Sequence, residues 1–432
     1  SFRVTINGGS TSSTSQQTIK YIIANADKVS YPEAWAGTTV FYSNDVTDAD
    51  SWKRNRDTFY TEGNLTWEHT HTNTSTESSL YFSYFPPYSY DRHLSFLSKC
   101  STAAATMKDG GAAAAQVMTL GQSVEGREID CVKVGTGDLV CWITHRQHPG
   151  ESMAEHYAEG LLTRLLGLDE NNADETNDSK LETQRALSLY TFYIVPCMCP
   201  DGAIKGHLRT NAVGANLNRE WATVKDHYVA PSLERSPEVY HVLRKMDETS
   251  VDVFVDVHGD EELPYNFLSG ANFIPKWSTR LEALHGAFCA SYSRTNSDMQ
   301  QNIGYPPSEK VEDVLPYMNV ATNQVANRFD CLGVTLEMPF KDCQSNSDPD
   351  FGWNPKRSRE LGASVVEALL YVQPYLRATG DFWITALPAD DAYVATTDDY
   401  ENDGKAEDLD DGFKMLKKRF YSDVHEIRKV QQ

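Results

Sequence analysis

Two patterns of apolar residues divide the chain. In residues 1–88, short alternating runs such as 38–42 and 80–85 are separated by polar turns. Alternation with a period of two is typical of strands with one buried face, so this region predicts an antiparallel β-sandwich. Pro86 and Pro87 interrupt the pattern and mark a domain boundary.

Strands and helices alternate from residue 89 to residue 376. Apolar periodicity predicts a helix over 91–107, a hairpin over 117–134 and a helix over 151–166. Further apolar runs predict strands at 139–144, 189–195, 251–258 and 333–337, followed by a closing helix over 358–373. Such alternation is typical of an α/β sheet with helices on both faces, where ligand sites collect at the carboxyl ends of the strands.

Residues 377–432 form a third region by composition. Positions 389–411 are dense in Asp and Glu with few apolar residues, which predicts an extended acidic segment. Positions 413–430 show helical periodicity with a basic face, so a terminal helix is expected there.

Composition narrows the class of protein. The chain has 432 residues, enough for two domains, and a net charge of −22 at pH 7, which argues against nucleic acid and anionic membranes as partners. No stretch approaches the ~20 apolar residues of a membrane span. The eight cysteines are spread thinly and predict buried, reduced thiols. Residues 1–6 lack an initiator Met and resemble a strand more than a signal peptide, so we expect natural sequence upstream.

The segment His148-Pro-Gly-Glu151 lies between a predicted strand and a predicted helix. A His and a Glu three residues apart on a first helical turn point the same way and supply a nitrogen and an oxygen ligand for zinc. His258, at the end of a strand, is the expected third ligand, and Asp256 shares its face and can support it. His145 competes with His148 by spacing, but it is expected to lie near the end of its strand.

Three protein ligands leave a fourth position for water, which is typical of catalytic zinc sites. A base is then needed, and Glu337 is the candidate because a carboxylate at the end of an apolar strand is costly without a role. The alternative is a Glu paired with a nearby Arg. Arg209 could stabilise an oxyanion, and Asn218 with Arg219 could hold a carboxylate; ordinary surface salt bridges are the alternative for these arginines.

These residues lie in motifs that resemble those of the zinc metallocarboxypeptidases, in particular the cytosolic carboxypeptidase subfamily and its bacterial members. The resemblance covers about residues 30–375 and is carried by His148–Glu151, Cys199–Gly202, Arg209, Gly214–Trp221, Asp256–His258 and Thr335–Phe340. Residues 82–90 resemble the aromatic segment that joins the subfamily's β-sandwich to its catalytic domain.

The resemblance implies a mixed-sheet α/β/α carboxypeptidase-like catalytic domain over 89–376, after the β-sandwich domain of 1–88. It implies one zinc ion bound by His148, Glu151 and His258, with Glu337 as general base and then acid. Arg209 would polarise the scissile carbonyl.

Asn218 and Arg219 would grip the carboxylate of a peptide or protein C-terminus, and Tyr317 would cap the substrate, with Tyr305 and Tyr265 as alternatives. A cytoplasmic location and removal of acidic C-terminal residues are further expectations from the resemblance.

One departure from the family pattern concerns the metal site. Asn216 stands where many members have an acidic residue that supports a zinc-bound His, which could weaken that support unless another carboxylate substitutes.

Two other functions stay open: a zinc-dependent N-acyl amino acid deacylase of the same fold, and a non-catalytic protein whose Tyr- and Trp-rich β-domain binds a peptide or glycan. The sequence leaves the oligomeric state open.

Overall fold

The computed structural model describes residues 1–6, 15–73, 78–109, 114–168, 177–222 and 230–378. Among these residues, the N-terminal region contains seven strands in two antiparallel sheets. They are β1 Phe2–Ile6, β2 Ser15–Ile23, β3 Val40–Ser43, β4 Lys53–Asn55, β5 Thr58–Thr61, β6 Asn64–Asn73 and β7 Ser78–Ser83. One sheet has the order β1-β7-β3-β4 and the other the order β2-β6-β5, which confirms the antiparallel prediction.

The two N-terminal sheets share a core. Val40 and Phe82 from one sheet pack with Leu65 and Trp67 from the other. Phe41, the neighbour of Val40, points to the opposite face and joins the main core of the following region. The four-stranded sheet is therefore buried on both faces at β3, where its outer face packs against the α/β region.

The second region is built on a mixed sheet with the order β13-β14-β12-β10-β11-β9-β8. Its strands are β8 Ala115–Gln122, β9 Glu128–Val134, β10 Leu139–His145, β11 Tyr190–Val195, β12 Val253–Asp260, β13 Phe267–Gly270 and β14 Leu332–Pro339. The four central strands β14, β12, β10 and β11 are parallel. Their carboxyl ends therefore lie side by side at one edge of the sheet.

Helices cover both faces of this sheet. They are α1 Tyr90–Asp109, α2 Met153–Leu166, α3 Asn177–Leu189, α4 Pro200–Lys205, α5 Pro237–Thr249, α6 Thr279–Thr295, α7 Val311–Val314, α8 Ala321–Phe329, α9 Pro355–Ala363 and α10 Val365–Val372. The alternation along β12 separates two cores: Val253 and Val255 pack in the core that includes α2 and α6, and Phe254 packs in the core that includes α5 and α8. The predicted α/β arrangement is confirmed.

Two predicted helices differ in detail. Helix α2 begins at Met153, so His148 and Glu151 lie in the turn before it and not on its first turn. The predicted closing helix is two helices that break at Ser364, whose hydroxyl donates to the carbonyl of Leu361 at 2.8 Å. Such a side-chain bond competes with the helical ladder.

Three further predictions concern the chain as a whole. The acidic segment at 389–411 and the helix at 413–430 lie outside the described residues, and the division into domains 1–88, 89–376 and 377–432 stays a prediction. Within the described ranges, no helix is both long enough and apolar enough to span a membrane.

Candidate metal centre and active site

Three buried donors converge at the carboxyl edge of the sheet. Nδ1 of His148 lies 2.7 Å from Oε1 of Glu151 and 3.1 Å from Nδ1 of His258, and Nδ1 of His258 lies 2.9 Å from Oε2 of Glu151. In the part of the chain that the structure describes, these three residues are the one group of His, Cys, Asp and Glu arranged to hold a metal ion. The structure thus brings together the predicted ligands.

A tight turn presents His148 and Glu151. Arg146 precedes it in the left-handed region at φ 56°, and its guanidinium donates to the carbonyl of Pro149 at 2.9 Å. Gly150 donates its N–H to the carbonyl of Leu208 at 2.9 Å, and a Cβ at this glycine would lie only 2.9 Å from the same oxygen. Glycine is therefore required where the turn touches the segment that carries Arg209.

Strand register decides which histidine enters the site. His145 on β10 pairs with Val257 on β12, whose side chain lies in the core on the α2 side of the sheet. His145 therefore points away from His258, and its Nδ1 lies 2.9 Å from the carbonyl of Val195. The preference for His148 over His145 agrees with this placement.

A buried network fixes the orientation of His258. Nε2 of His258 donates to Oδ2 of Asp256 at 2.7 Å, while Thr144 donates to the other oxygen of Asp256 at 2.8 Å. Gln147 donates to Oδ2 at 2.5 Å, and its own oxygen accepts from Trp221 at 2.8 Å. The sequence predicted the role of Asp256 but missed Thr144 and Gln147. A polar Thr in an otherwise apolar strand was the available signal for Thr144.

Asn216 takes the place of the expected acidic residue beside His148. Its Oδ1 accepts from Nε2 of His148 at 3.1 Å and also from the backbone N–H of Asn218 at 3.1 Å. An amide oxygen thus supports the imidazole without a second carboxylate, and the same atom caps the short 3-10 helix Leu217–Arg219.

The donor set fits a divalent cation. Both histidines direct Nε2 at an acceptor, so Nε2 carries the proton and the Nδ1 lone pairs face each other and the Glu151 carboxylate. Lone pairs this close repel each other unless a positive charge lies between them. Burial lowers the pKa of His258, but the carboxylates of Asp256 and Glu151 outweigh it and raise that pKa well above its usual value. The carboxylates around His258 therefore favour a positive charge beside it, whereas burial lowers the pKa of His148.

Glu337 lies beside this centre. It is the register partner of His258 on the neighbouring parallel strand, so both side chains emerge on the same face. Its Oε2 is buried and has no hydrogen-bond partner among the described residues. Burial, together with the carboxylates of Glu151 and Asp260, raises the pKa of Glu337 well above its usual range, although His258 opposes this. A carboxylate of this kind accepts protons readily.

Arg209 reaches the centre from the loop after α4. Its Nη1 lies 3.7 Å from Glu151 and 3.6 Å from Glu261, and its Nη2 lies 3.3 Å from Nε2 of His148. Burial alone lowers the pKa of Arg209, but the carboxylates of Glu151 and Glu261 raise it above the usual value. The guanidinium is therefore a fixed positive charge next to the metal ligands.

Asn218 and Arg219 follow on the short 3-10 helix. Oδ1 of Asn218 accepts from the N–H of Ala321 at 2.9 Å, which directs its Nδ2 toward the centre, 3.3 Å from Nε2 of His258. Since that Nε2 donates to Asp256, the amide hydrogens of Asn218 remain available to a ligand. Arg219 is exposed, and its Nη1 donates to the carbonyl of Asn218 at 2.7 Å.

The three candidate tyrosines have different surroundings. Tyr317 is 54% exposed and lies on the 3-10 helix Leu315–Tyr317, close enough to Arg219 to affect its pKa. The hydroxyl of Tyr305 donates to Asp260, and that of Tyr265 donates to Gln344 at 2.8 Å. Tyr305 is 38% exposed and also affects the pKa of Arg219, so the capping role of Tyr317 stays a prediction.

The chain is similar to known carboxypeptidases along most of its length. Residues 104–352 match a family model described as zinc carboxypeptidase, and residues 6–85 match one described as the cytosolic carboxypeptidase N-terminal domain. A solved metallocarboxypeptidase from Pseudomonas aeruginosa is 34% identical with a TM-score of 0.73, over 87% of this chain and 90% of that one. A second, from Burkholderia cenocepacia, is 36% identical with a TM-score of 0.70, over 85% and 88%.

Two sequence relatives complete the comparison. An uncharacterised protein of Zymomonas mobilis is 37% identical over 84% of this chain and 86% of its own length. Cytosolic carboxypeptidase 6 of Caenorhabditis elegans is 25% identical over 42% of this chain and 40% of its own. Since the zinc carboxypeptidase model spans more than half of the sequence, the chain belongs to the zinc carboxypeptidase family and is a metallocarboxypeptidase, a hydrolase of peptide bonds with one zinc ion as its cofactor.

Proposed function

We propose that this metallocarboxypeptidase removes residues one at a time from free peptide or protein C-termini, with Glu337 as the general base. The observation that carries the proposal is the register pair His258 and Glu337. It puts a buried carboxylate oxygen, with no hydrogen-bond partner among the described residues, next to the metal ligands. When bound to His148, Glu151 and His258, zinc supplies Lewis acidity, which acidifies water and polarises a carbonyl.

The residues of the chain then have separate tasks. Glu337 takes a proton from the attacking water and passes it to the leaving amine, because burial favours its protonated form. Arg209 donates to the oxygen of the scissile carbonyl, where negative charge develops. Asp256 and Asn216 hold the imidazole rings in place throughout.

The clamp for the terminal carboxylate consists of Asn218 and Arg219. Asn218 directs its amide Nδ2 toward the centre, and Arg219 is an exposed guanidinium held by a backbone carbonyl. The similar Pseudomonas aeruginosa enzyme was solved in complex with (2-guanidinoethylmercapto)succinic acid, which carries two carboxyl groups. A clamp for a terminal carboxylate beside the metal ligands would restrict the enzyme to free C-termini, as in an exopeptidase. Tyr317 closes over the bound substrate in this proposal.

Two finer points belong to the same proposal. Acidic side chains are among the C-terminal residues removed, as the subfamily resemblance suggests. A cytoplasmic location is supported by the eight cysteines, all of which are buried as thiols.

The test is mass spectrometry of a mixed peptide library incubated with the zinc-loaded protein, with and without a chelator. Loss of single C-terminal residues that the chelator prevents is expected, and the same peptides with C-terminal amides should stay intact. Cleavage of N-acyl amino acids without any peptide trimming would contradict the proposal and support the deacylase alternative. Binding of peptides without turnover would support the non-catalytic alternative.

A further inference from the structure

The N-terminal region reaches the active site through one residue. The ring of Tyr31 lies under the guanidinium of Arg209, with the Cζ atom 5.3 Å from the ring centroid. This distance is within the range of a cation–π contact, which for Arg also restricts the plane of the guanidinium. Tyr31 belongs to the two-sheet region, whereas Arg209 belongs to the α/β region.

Tyr31 also lies near the proposed carboxylate clamp. Burial and the nearby charge of Arg209 lower the pKa of Arg219, and Tyr31 is among the groups that oppose this shift. One phenol ring is therefore close to both guanidiniums that the proposed reaction uses. The guanidinium of Arg209 is therefore surrounded by the carboxylates of Glu151 and Glu261 and by the uncharged aromatic ring of Tyr31.

The loop that carries Tyr31 is held by hydrogen bonds and aromatic packing. The carbonyl of Tyr31 accepts from the N–H of Ala34 at 3.2 Å, which closes a turn into the 3-10 helix Pro32–Trp35. Trp35 donates to the carbonyl of Ala26 at 2.9 Å and packs on Tyr84 with 5.0 Å between ring centroids. The position of Tyr31 is therefore defined by the N-terminal core.

The same aromatic chain continues into the catalytic region. Tyr84 stacks on Phe340 with ring centroids 4.5 Å apart and planes 15° apart. Phe340 follows β14, the strand that carries Glu337. The N-terminal region thus packs on the end of the base-carrying strand at one point and on Arg209 at another.

We propose that the N-terminal domain completes the active site, with Tyr31 as a positioning residue that holds Arg209 in the orientation needed to donate to the scissile carbonyl. This inference rests on the proposed role of Arg209. The contact with Arg209 uses the face of the Tyr31 ring and not its hydroxyl. A phenylalanine at this position should therefore keep the function.

The test compares Tyr31→Ala with Tyr31→Phe in the full-length, zinc-loaded protein. Tyr31→Ala should lower kcat about tenfold with KM changed less than about twofold, because a mobile Arg209 stabilises charge that is present mainly in the transition state. Tyr31→Phe should keep kcat within about twofold. Tyr60→Ala, a half-exposed tyrosine in β5 of the same region, is the matched control and should leave kcat unchanged.

A double-mutant cycle with Arg209→Lys tests whether the effect of Tyr31→Ala on kcat is transmitted through Arg209 or is a general disturbance of the protein. If Tyr31 acts through Arg209, Tyr31→Ala should have little further effect in the Arg209→Lys background. Fully additive effects, an unchanged kcat in Tyr31→Ala, or an equal loss in Tyr31→Phe would each overturn the inference. Zinc affinity and thermal stability of Tyr31→Ala should match those of the wild type, and a loss of either that accounts for the lower kcat would also overturn it.

A binding measurement keeps this inference separate from the proposed reaction. Calorimetric titration with the dicarboxylate (2-guanidinoethylmercapto)succinic acid tests carboxylate binding by the arginines without turnover. Weaker binding to Tyr31→Ala but not to Tyr31→Phe would support the inference even if the wild type trimmed no peptide, in which case the proposed function alone would fail. Peptide trimming that is unaffected by Tyr31→Ala would overturn the inference and leave the proposed function intact.

Discussion

Nε2 of His258 donates a hydrogen bond to Oδ2 of Asp256 at 2.7 Å, and both side chains are fully buried. This bond places the proton of the imidazole on the side away from the metal site, so the Nδ1 lone pair is directed at the other two metal-site donors, His148 and Glu151. Asp256 is itself held by Thr144 and Gln147. Metal affinity therefore depends on residues that never touch the metal.

Replacing Asp256 with alanine should weaken zinc binding about 10- to 100-fold, since the imidazole of His258 loses both its orientation and its basicity. Competition with a chromophoric chelator measures this directly. Asp252→Ala is the matched control, because Asp252 directly precedes the same strand. Its carboxylate accepts from the backbone N–H of Val140 and from the guanidinium of Arg377, away from the metal site. Equal zinc affinity in the two variants would contradict the role assigned to Asp256.

Glu337→Gln should give a folded, zinc-loaded protein with peptidase activity lowered about 10²- to 10⁴-fold, the usual contribution of a general acid–base group. The amide is nearly isosteric with the carboxylate but cannot accept the proton. Steady-state hydrolysis and metal analysis measure the two properties. Glu360→Gln, an exposed change on α9, should keep full activity. Retained activity in Glu337→Gln would show that another group is the base.

Stability should fall at alkaline pH because of His93. Its Nδ1 lies 2.6 Å from Glu155 and its Nε2 lies 3.3 Å from Asp130. Burial lowers its pKa, but the two carboxylates outweigh burial and raise the pKa to about 9. A raised pKa means that the stabilisation is fully present below about pH 6.5, the value in the unfolded chain, and is lost as pH rises through about 9.

The expected loss of unfolding free energy over this window is at most about 3 kcal/mol. Denaturant unfolding at pH 6.5 and pH 9.5 measures it, and His93→Gln should show a smaller decline than the wild type. The pKa of His241 is lowered by burial, so His241→Gln should keep the wild-type decline. An identical pH dependence in wild type and His93→Gln would exclude His93 as the cause.

Arg54 should stabilise the packing of the N-terminal region on the α/β region. Its guanidinium is buried, stacks over Phe41 at 3.8 Å, and its Nη2 donates to the carbonyls of Phe340, Lys341 and Trp353 at 2.9–3.0 Å. Lysine has no planar guanidinium and cannot reproduce both the stacking on Phe41 and the hydrogen bonds to the three carbonyls. Arg54→Lys should therefore lower the free energy of unfolding by about 2–4 kcal/mol.

Arg56 provides the matched control two residues away. It pairs with Asp350 across the same boundary but is exposed, so Arg56→Ala should cost less than about 0.5 kcal/mol. Chemical denaturation of both variants measures the difference. Similar losses for Arg54→Lys and Arg56→Ala would show that the buried fork contributes no more than an exposed ion pair.

The sequence by itself determined the parts that depend on local pattern. The run 251–258 alternates Val with polar or aromatic residues, which identified both a strand, observed as Val253–Asp260, and the shared face of Asp256 and His258. The motif around His148 and Glu151 identified two ligands from their spacing, although the structure places them in a turn before the helix. Local spacing is enough here because residues two or three apart have few possible relative positions.

Tertiary structure alone decided which distant residues meet. The pairing of β12 with β14 puts Glu337 beside His258, and the pairing of β10 with β12 turns His145 away. Gln147 became part of the metal site only because its buried amide lies between Trp221 and Asp256. No local period carries this information, since a one-residue change in register would reverse the face of every side chain on a strand. The contact of Tyr31 with Arg209 likewise depends on how the N-terminal sheets pack on the α/β region, which is a property of the assembled core and not of either segment.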